Sequence, residues 1–343
     1  MIKVGMIGCG GMGNYHAPVL AGLPNVKVVG ACDLIESKAK ALGEKIGVPH
    51  CTDFRDLLAG VDAVWVCTQP FSRVEIVTTA AKAGKHIFTE KPVCNEVAGA
   101  RKMIAAAKRY GVKYMLGYCL RFWNPYRLIR ETFASGELGE LVDGWTRRFM
   151  PMDPRPSWYG QQDKSGGVTL DFGSHDINWL LWVGGPVKTV FAQTRRVRDG
   201  VQADEHAQAM MLFKNGGMGA VDISWSSYAS ESSVGLVGTK GAIIVGADGK
   251  VRKKIGDAPE QIVDADSAMD INPAGQVGKK DAAGKIQAVA RKAESIQEHF
   301  FRCIEEDLTP ITGAQDGLQT LLIVKAMMES ARRGASVKLP AGR

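Results

Sequence analysis

Up to about Arg121 the chain alternates two patterns of hydrophobic and polar positions. Short apolar, β-branched runs at 3–7, 26–32, 63–67, 86–89 and 113–117 read as strands. Between them, Ala-, Lys- and Glu-rich stretches at 12–21, 37–46, 54–58, 73–83 and 96–110 carry helical periodicity. Alternation of this kind predicts a parallel sheet with right-handed crossover helices. After Arg121 the pattern changes. A helix-like stretch at 125–135 ends in Gly136, Glu137, Leu138 and Gly139, and strand-like runs of alternating polarity follow at 141–149, 187–196, 207–213, 218–225, 232–237 and 242–245. A loop bearing Pro151, Pro154 and Pro156 and a short helix at 175–183 separate the first two. This predicts an α+β second domain on a largely antiparallel sheet. Residues 256–280 have little periodicity and read as a surface excursion, with helices at 282–306 and 315–333 finishing the chain.

Length and composition agree with that division. A chain of 343 residues suits two domains, drawn here as 1–121 and 122–343. Apolar content of 45% and charged content of 23% are ordinary for a globular protein. No apolar run is long enough to span a bilayer, and a strand-like run at the start leaves no room for a signal peptide, so a cytoplasmic protein is expected. Seven scattered cysteines (Cys9, Cys32, Cys51, Cys67, Cys94, Cys119, Cys303) form no Cys-x-x-Cys and read as reduced and structural, with no metal site expected. The net charge of +7 is spread out; its densest cluster is Lys279, Lys280, Lys285, Arg291 and Lys292. No aromatic residues interleave with it, which favours a solvated helix face over a nucleic-acid site.

Gly8-Cys9-Gly10-Gly11-Met12-Gly13 fits G-x-G-x-x-G and lies between a strand and a helix, the context the motif needs. Gly8 serves a tight turn, Gly10 close approach of a pyrophosphate, and Gly13 helix–strand packing, with the helix N-terminus facing the phosphates. Asp33 ends the second strand 20 residues after Gly13, where an acid accepts hydrogen bonds from ribose hydroxyls and repels a 2′-phosphate. NAD is therefore preferred to NADP. Gly11, Met12, Thr68, Glu90 and Lys91 complete the residues expected around the cofactor.

Two further segments carry chemistry. Thr89-Glu90-Lys91-Pro92 ends a strand on the edge that faces the ligand crevice in a doubly wound sheet. In the run from Gly166 to Asn178, Asp171 and His175 are four apart and share a helix face. Together Lys91, Asp171 and His175 suit alcohol oxidation. Histidine is a base at neutral pH, a lysine cation stabilises an alkoxide, and a carboxylate orients the histidine or holds a hydroxyl. Arg121, Trp158, Tyr159 and Asn178 are candidate substrate contacts.

On Gly8–Gly13, on Gly84-Lys85-His86 leading to Glu90-Lys91-Pro92, on Gly117 to Phe122, on Gly136–Gly139, on Gly166-Gly167 to His175, and on Gly238-Thr239-Lys240-Gly241, the sequence resembles the glucose–fructose oxidoreductase / inositol dehydrogenase / rhizopine-catabolism (Gfo/Idh/MocA) family over nearly its whole length. The resemblance implies a Rossmann domain followed by an α+β domain with a large open sheet, and a homodimer or homotetramer built through that sheet. It also implies oxidation of a sugar or cyclic polyol at Lys91, Asp171 and His175. Three positions depart from the pattern: Asn178 replaces a second acid, Thr68-Gln69-Pro70 is followed by Arg73, and Trp158-Tyr159 stands where a Trp-Arg pair is common. Two other readings remain open: a glycosidase-like enzyme that oxidises its sugar transiently on NAD, and a non-catalytic NAD-binding regulator.

Overall fold

The computed structural model describes residues 1–155, 157–264, 279–280, 286–287 and 294–340. The chain forms two compact units, each discontinuous in sequence: Met1–Tyr118 with Ser295–Leu318, and Cys119–Glu294 with Gln319–Arg343. The single cut after residue 121 did not anticipate the returning segment.

In the first unit six strands, β1 (Ile2–Ile7), β2 (Val26–Cys32), β3 (His50–Cys51), β4 (Ala63–Val66), β5 (His86–Thr89) and β6 (Tyr114–Leu116), lie parallel in the order β3-β2-β1-β4-β5-β6. Helices α1 (Gly11–Ala21), α2 (Glu36–Ile46), α3 (Arg55–Leu58), α4 (Arg73–Lys82) and α5 (Val97–Arg109) make the crossovers. This is the doubly wound order, and its strand order reverses between β1 and β4, where ligands sit beyond the carboxyl ends. All of β4 is buried, as its unbroken Ala-Val-Trp-Val requires of a central strand.

The second unit is built on nine strands in the order β14-β13-β12-β11-β7-β10-β9-β8-β17. They are β7 (Leu141–Phe149), β8 (Val187–Arg195), β9 (His206–Phe213), β10 (Met218–Ser224), β11 (Glu231–Gly238), β12 (Gly241–Val245), β13 (Val251–Ile255), β14 (Gln261–Val263) and β17 (Val337–Lys338). Every described pairing is antiparallel except β10 with β7. Helix α6 (Asn124–Ala134) packs on β11 and β12, and α9 (Ser174–Gly184) on β7 and β10. Two short helices, α7 (Gln162–Ser165) and α8 (Gly167–Asp171), lead into α9.

The sequence reading missed β13 and β14, and β14 falls inside the stretch expected to be an excursion. The helix expected over 282–306 is α10 (Ile296–Glu305), opened by a Ser295/Glu298 capping box. Lys279–Lys280 (β15) and Ile286–Gln287 (β16) pair as a short antiparallel ribbon rather than lying on a helix. Lys285, Arg291 and Lys292 fall outside the described residues. The last helix is α11 (Ala314–Arg333).

Segment 295–318 completes the first unit. Phe300 and Phe301 from α10 close over Trp65, itself stacked on Phe88 with centroids 3.6 Å apart. Beyond α10, Thr312 accepts the Leu116 N–H at 2.8 Å and returns its hydroxyl to the Leu116 carbonyl.

Candidate active site

The β1–α1 turn explains its glycines. Gly8 has φ +94°, and a Cβ there would stand 2.7 Å from the Cys67 carbonyl carbon. A Cβ on Gly13 would lie 2.1 Å from the Gly8 oxygen, so helix and turn touch backbone to backbone. At Gly10 and Gly11 a Cβ would meet nothing within 4 Å. Their backbone, at the N-terminus of α1, thus faces open space where an anion can approach the free N–H groups. Met12, the next residue, is exposed.

Asp33, at the end of β2, is held by two backbone donors: Cys9 N–H to Oδ2 at 2.8 Å and Ile35 N–H to Oδ1 at 2.9 Å. Each oxygen keeps lone-pair capacity for a diol. At the end of β4 the Thr68 hydroxyl is buried and has no partner among the described residues, a polar group that a bound ligand could satisfy. An open glycine turn, a fixed carboxylate and an orphan hydroxyl fit an adenine dinucleotide with a free ribose 2′-hydroxyl.

At the end of β5, Lys91 precedes a cis-proline, Pro92. The main chain here is clamped by Arg73 of α4, which is buried and donates to the carbonyls of Thr68, Glu90, Lys91 and Pro92. Glu90 was expected among the cofactor contacts, but the structure turns its carboxylate inward. His16 Nε2 of α1 lies 2.8 Å from Glu90 Oε1, and the Lys91 N–H donates to Oε2 at 3.1 Å. Gln297 of α10 closes the chain at His16 Nδ1, 3.0 Å away. Burial by itself would raise the Glu90 pKa; the His16 hydrogen bond and the charges of His16, Lys91 and Arg73 outweigh it and hold it below the ordinary glutamate value. Gly117 leaves the room, since a Cβ there would come 2.9 Å from the Glu90 carboxylate. Gln297 was absent from the sequence reading, and Arg73 entered it only as a departure from the family pattern. Their partners are distant in sequence, so no local signal marks them.

In the second unit Asp171 ends α8 and His175 lies in the first turn of α9. Phe172 and Gly173 between them keep right-handed helical dihedrals, so the four-residue spacing still places both on one side. Gly166 and Gly167 launch α8 with φ of +68° and +65°; a Cβ on Gly166 would strike Leu170 and one on Gly167 would strike Asp204. Asp204 caps the helix through the Thr169 N–H at 3.1 Å and a short bond from the Thr169 hydroxyl, and its own carbonyl accepts Val168 N–H. Burial raises the Asp204 pKa, against these hydrogen bonds and that from Gln162. The Cys119 thiol stands 3.9 Å from His175 Nδ1.

The expected substrate contacts divide. Trp158 and Tyr159 stack at 4.1 Å on a 3-10 turn and are part-exposed, with Tyr159 edge-on to the buried Trp225. Arg121 is buried; it donates to the Asn178 carbonyl at 3.2 Å and lies 5.3 Å from the Trp182 ring centre. Asn178 is also buried, and its side chain donates to the Thr320 hydroxyl of α11 at 3.1 Å, so it is a packing partner of that helix. Among the described residues no group of three acidic, His or Cys side chains is placed to hold a metal.

Residues 2–118 match the Gfo/Idh/MocA oxidoreductase family, NAD-binding Rossmann fold, and residues 126–244 match the Gfo/Idh/MocA C-terminal domain. An uncharacterized oxidoreductase of Bacillus subtilis, YrbE, is 27% identical over 353 residues, covering 98% of this chain and 96% of that protein. The myo-inositol 2-dehydrogenase of Thermotoga maritima is 27% identical over 350 residues, with 98% of each covered. A levoglucosan dehydrogenase solved with NADH has the same fold, with a TM-score of 0.83 at 21% identity over 99% of this chain and 100% of that one.

Proposed function

Because the chain belongs to the Gfo/Idh/MocA family and is by that membership an NAD-binding oxidoreductase, we propose that it oxidises a secondary alcohol carbon of a sugar or cyclic polyol. The observation that carries this reading is the dinucleotide end of the first unit. There Gly10 and Gly11 present an open helix N-terminus, and Asp33 is fixed to receive a ribose diol. The likeness to a myo-inositol 2-dehydrogenase along nearly its whole length supports the substrate class.

When bound, NAD supplies the hydride acceptor. The chain's residues handle the proton and the charge. His175 takes the proton of the reacting hydroxyl, Lys91 stabilises the alkoxide as it forms, and Asp171 orients the hydroxyl or the imidazole. Trp158 and Tyr159 offer ring faces to the apolar side of a sugar ring. Arg121 and Asn178 act behind them, through α9.

The enzyme is proposed to work as a dimer or tetramer built on the open face of the nine-stranded sheet. Strand register sets one apolar row across that face: Phe191, Met210, Ala220, Trp145 and, past Gly235, Ile244. Met210 is 67% exposed, more than a stable surface leaves in such a row. No described helix is long and apolar enough to cross a membrane. The seven cysteines are thiols rather than disulfide partners, which suits a reducing compartment such as the cytoplasm.

The test is a panel of inositols, aldoses and anhydrosugars with NAD and, separately, NADP, followed by nicotinamide absorbance. Steady reduction of NAD with one polyol class is expected. Signal only with NADP would overturn the role of Asp33. Tightly held NAD with substrate consumed and no net reduction would move the reading to transient oxidation in a glycosidase-like cycle.

A further inference from the structure

Alternation along β7 puts Asp143, Trp145 and Arg147 on the open face of the sheet and Thr146 and Arg148 on the face that carries α9. Arg148 is therefore a cation under the helices. Its Nε lies 2.8 and 3.1 Å from the two Asp176 oxygens and its Nη2 lies 2.7 Å from Oδ2, a bidentate pair in which the Asp176 side chain is fully buried. The same Nη2 donates to the Phe172 carbonyl at 3.1 Å, and the guanidinium lies 4.1 Å from the centre of the Phe172 ring. Burial would lower the Arg148 pKa, but Asp176's charge and hydrogen bonds outweigh it and raise it.

What Arg148 grips is specific. Phe172 follows Asp171 in the chain, and Asp176 follows His175. One guanidinium thus holds the neighbour of each of the two groups assigned to the chemistry, across the bend between α8 and α9. Gly173 lets the bend sit down on the sheet, because a Cβ there would stand 2.3 Å from the Ile223 side chain of β10.

We propose that Arg148, through Asp176 and Phe172, is the positioning residue that sets the orientation of Asp171 and His175. The inference rests on the roles given to Asp171 and His175 above. Removing one partner of a buried pair strands the other charge and can unfold the protein. Two variants avoid that. Arg148→Lys keeps the charge and loses the planar fork. Arg148→Met with Asp176→Leu removes both charges together.

Two readouts decide. In the first, kcat falls at least about 100-fold in the double variant and about tenfold in Arg148→Lys, while NADH affinity and the KM for NAD stay within about twofold. In the second, which needs no substrate, hydrogen exchange by mass spectrometry shows the amides of 172–177 exchanging at least about tenfold faster, with β9 and β10 unchanged. Wild-type kcat and unchanged exchange in either folded variant would make the pair an ordinary structural one and overturn the proposal. If the double variant does not fold, Arg148→Lys decides by the same two readouts. If the wild-type protein turns over no polyol, the functional reading has failed, and exchange in 172–177 still decides the clamp.

Discussion

Gly8 and Gly10, two residues apart, require glycine for opposite reasons. At Gly8 the backbone is left-handed and a Cβ would enter the main chain of Cys67 and Thr68, just past β4; at Gly10 a Cβ would enter empty space. Gly8→Ala should therefore cost stability, about 1–3 kcal/mol in chemical denaturation. Gly10→Val should melt like the wild type yet lose NAD affinity by at least about tenfold in a fluorescence titration. Asp33→Ser should raise the KM for NAD about tenfold and narrow the gap to NADP, measured by initial rates with each cofactor. These residues were legible in the sequence because their constraints are local. Glu90 was read as a cofactor contact from its place at the end of a strand; the partner of its carboxylate, His16, is 74 residues away, and Arg73, on its carbonyl, is 17 away. Its folded pKa is depressed, so its stabilising effect is full above the ordinary glutamate value and is lost as pH falls through the folded value. In denaturation curves taken from neutral pH to about pH 3, Glu90→Gln should flatten the acid loss of stability relative to wild type. An identical slope would contradict that account.

Helices and strands were read well where one face is apolar and poorly where the chain lies at a sheet margin. The strand Val251–Ile255 carries Arg252, Lys253 and Lys254, so no apolar run marks it in the sequence. Its register explains them: Arg252 pairs with Ile244 and Lys254 with Ala242, next to the short outer strand β14. Basic residues near a margin discourage stray pairing with other chains. The double glycine that opens α8 was visible in the sequence, but its partner Asp204, beyond α8, α9 and β8, was not. Asp204 serves that helix as a hydrogen-bond acceptor, and burial disfavours its charge. Asp204→Asn should therefore cost less than about 1 kcal/mol, against about 2 kcal/mol for Asp204→Ala, in urea denaturation at neutral pH. Equal losses would show that the charge itself holds the turn.

On the scale of the molecule, the apolar row on the open sheet gives a direct expectation. Met210→Glu would set a charge within it, and sedimentation should show smaller species with the far-ultraviolet circular dichroism kept. A wild-type sedimentation profile in that variant would place the contact elsewhere. The first unit's return segment was not legible, because helix periodicity around 296–305 shows an apolar face but not which sheet that face covers.

That return segment has a consequence in time. During synthesis the six parallel strands are all made before residue 117. Yet the side chains that roof Trp65 and Phe88, and the Thr312 groups that satisfy Leu116, arrive only after residue 295. The half that holds the nucleotide thus stays unfinished through most of synthesis, with aromatic surface to shield. The second unit is also completed late, by the end of α11 and by β17, and release of a chain stopped before residue 295 should leave a protein that chaperones retain and that NAD does not rescue.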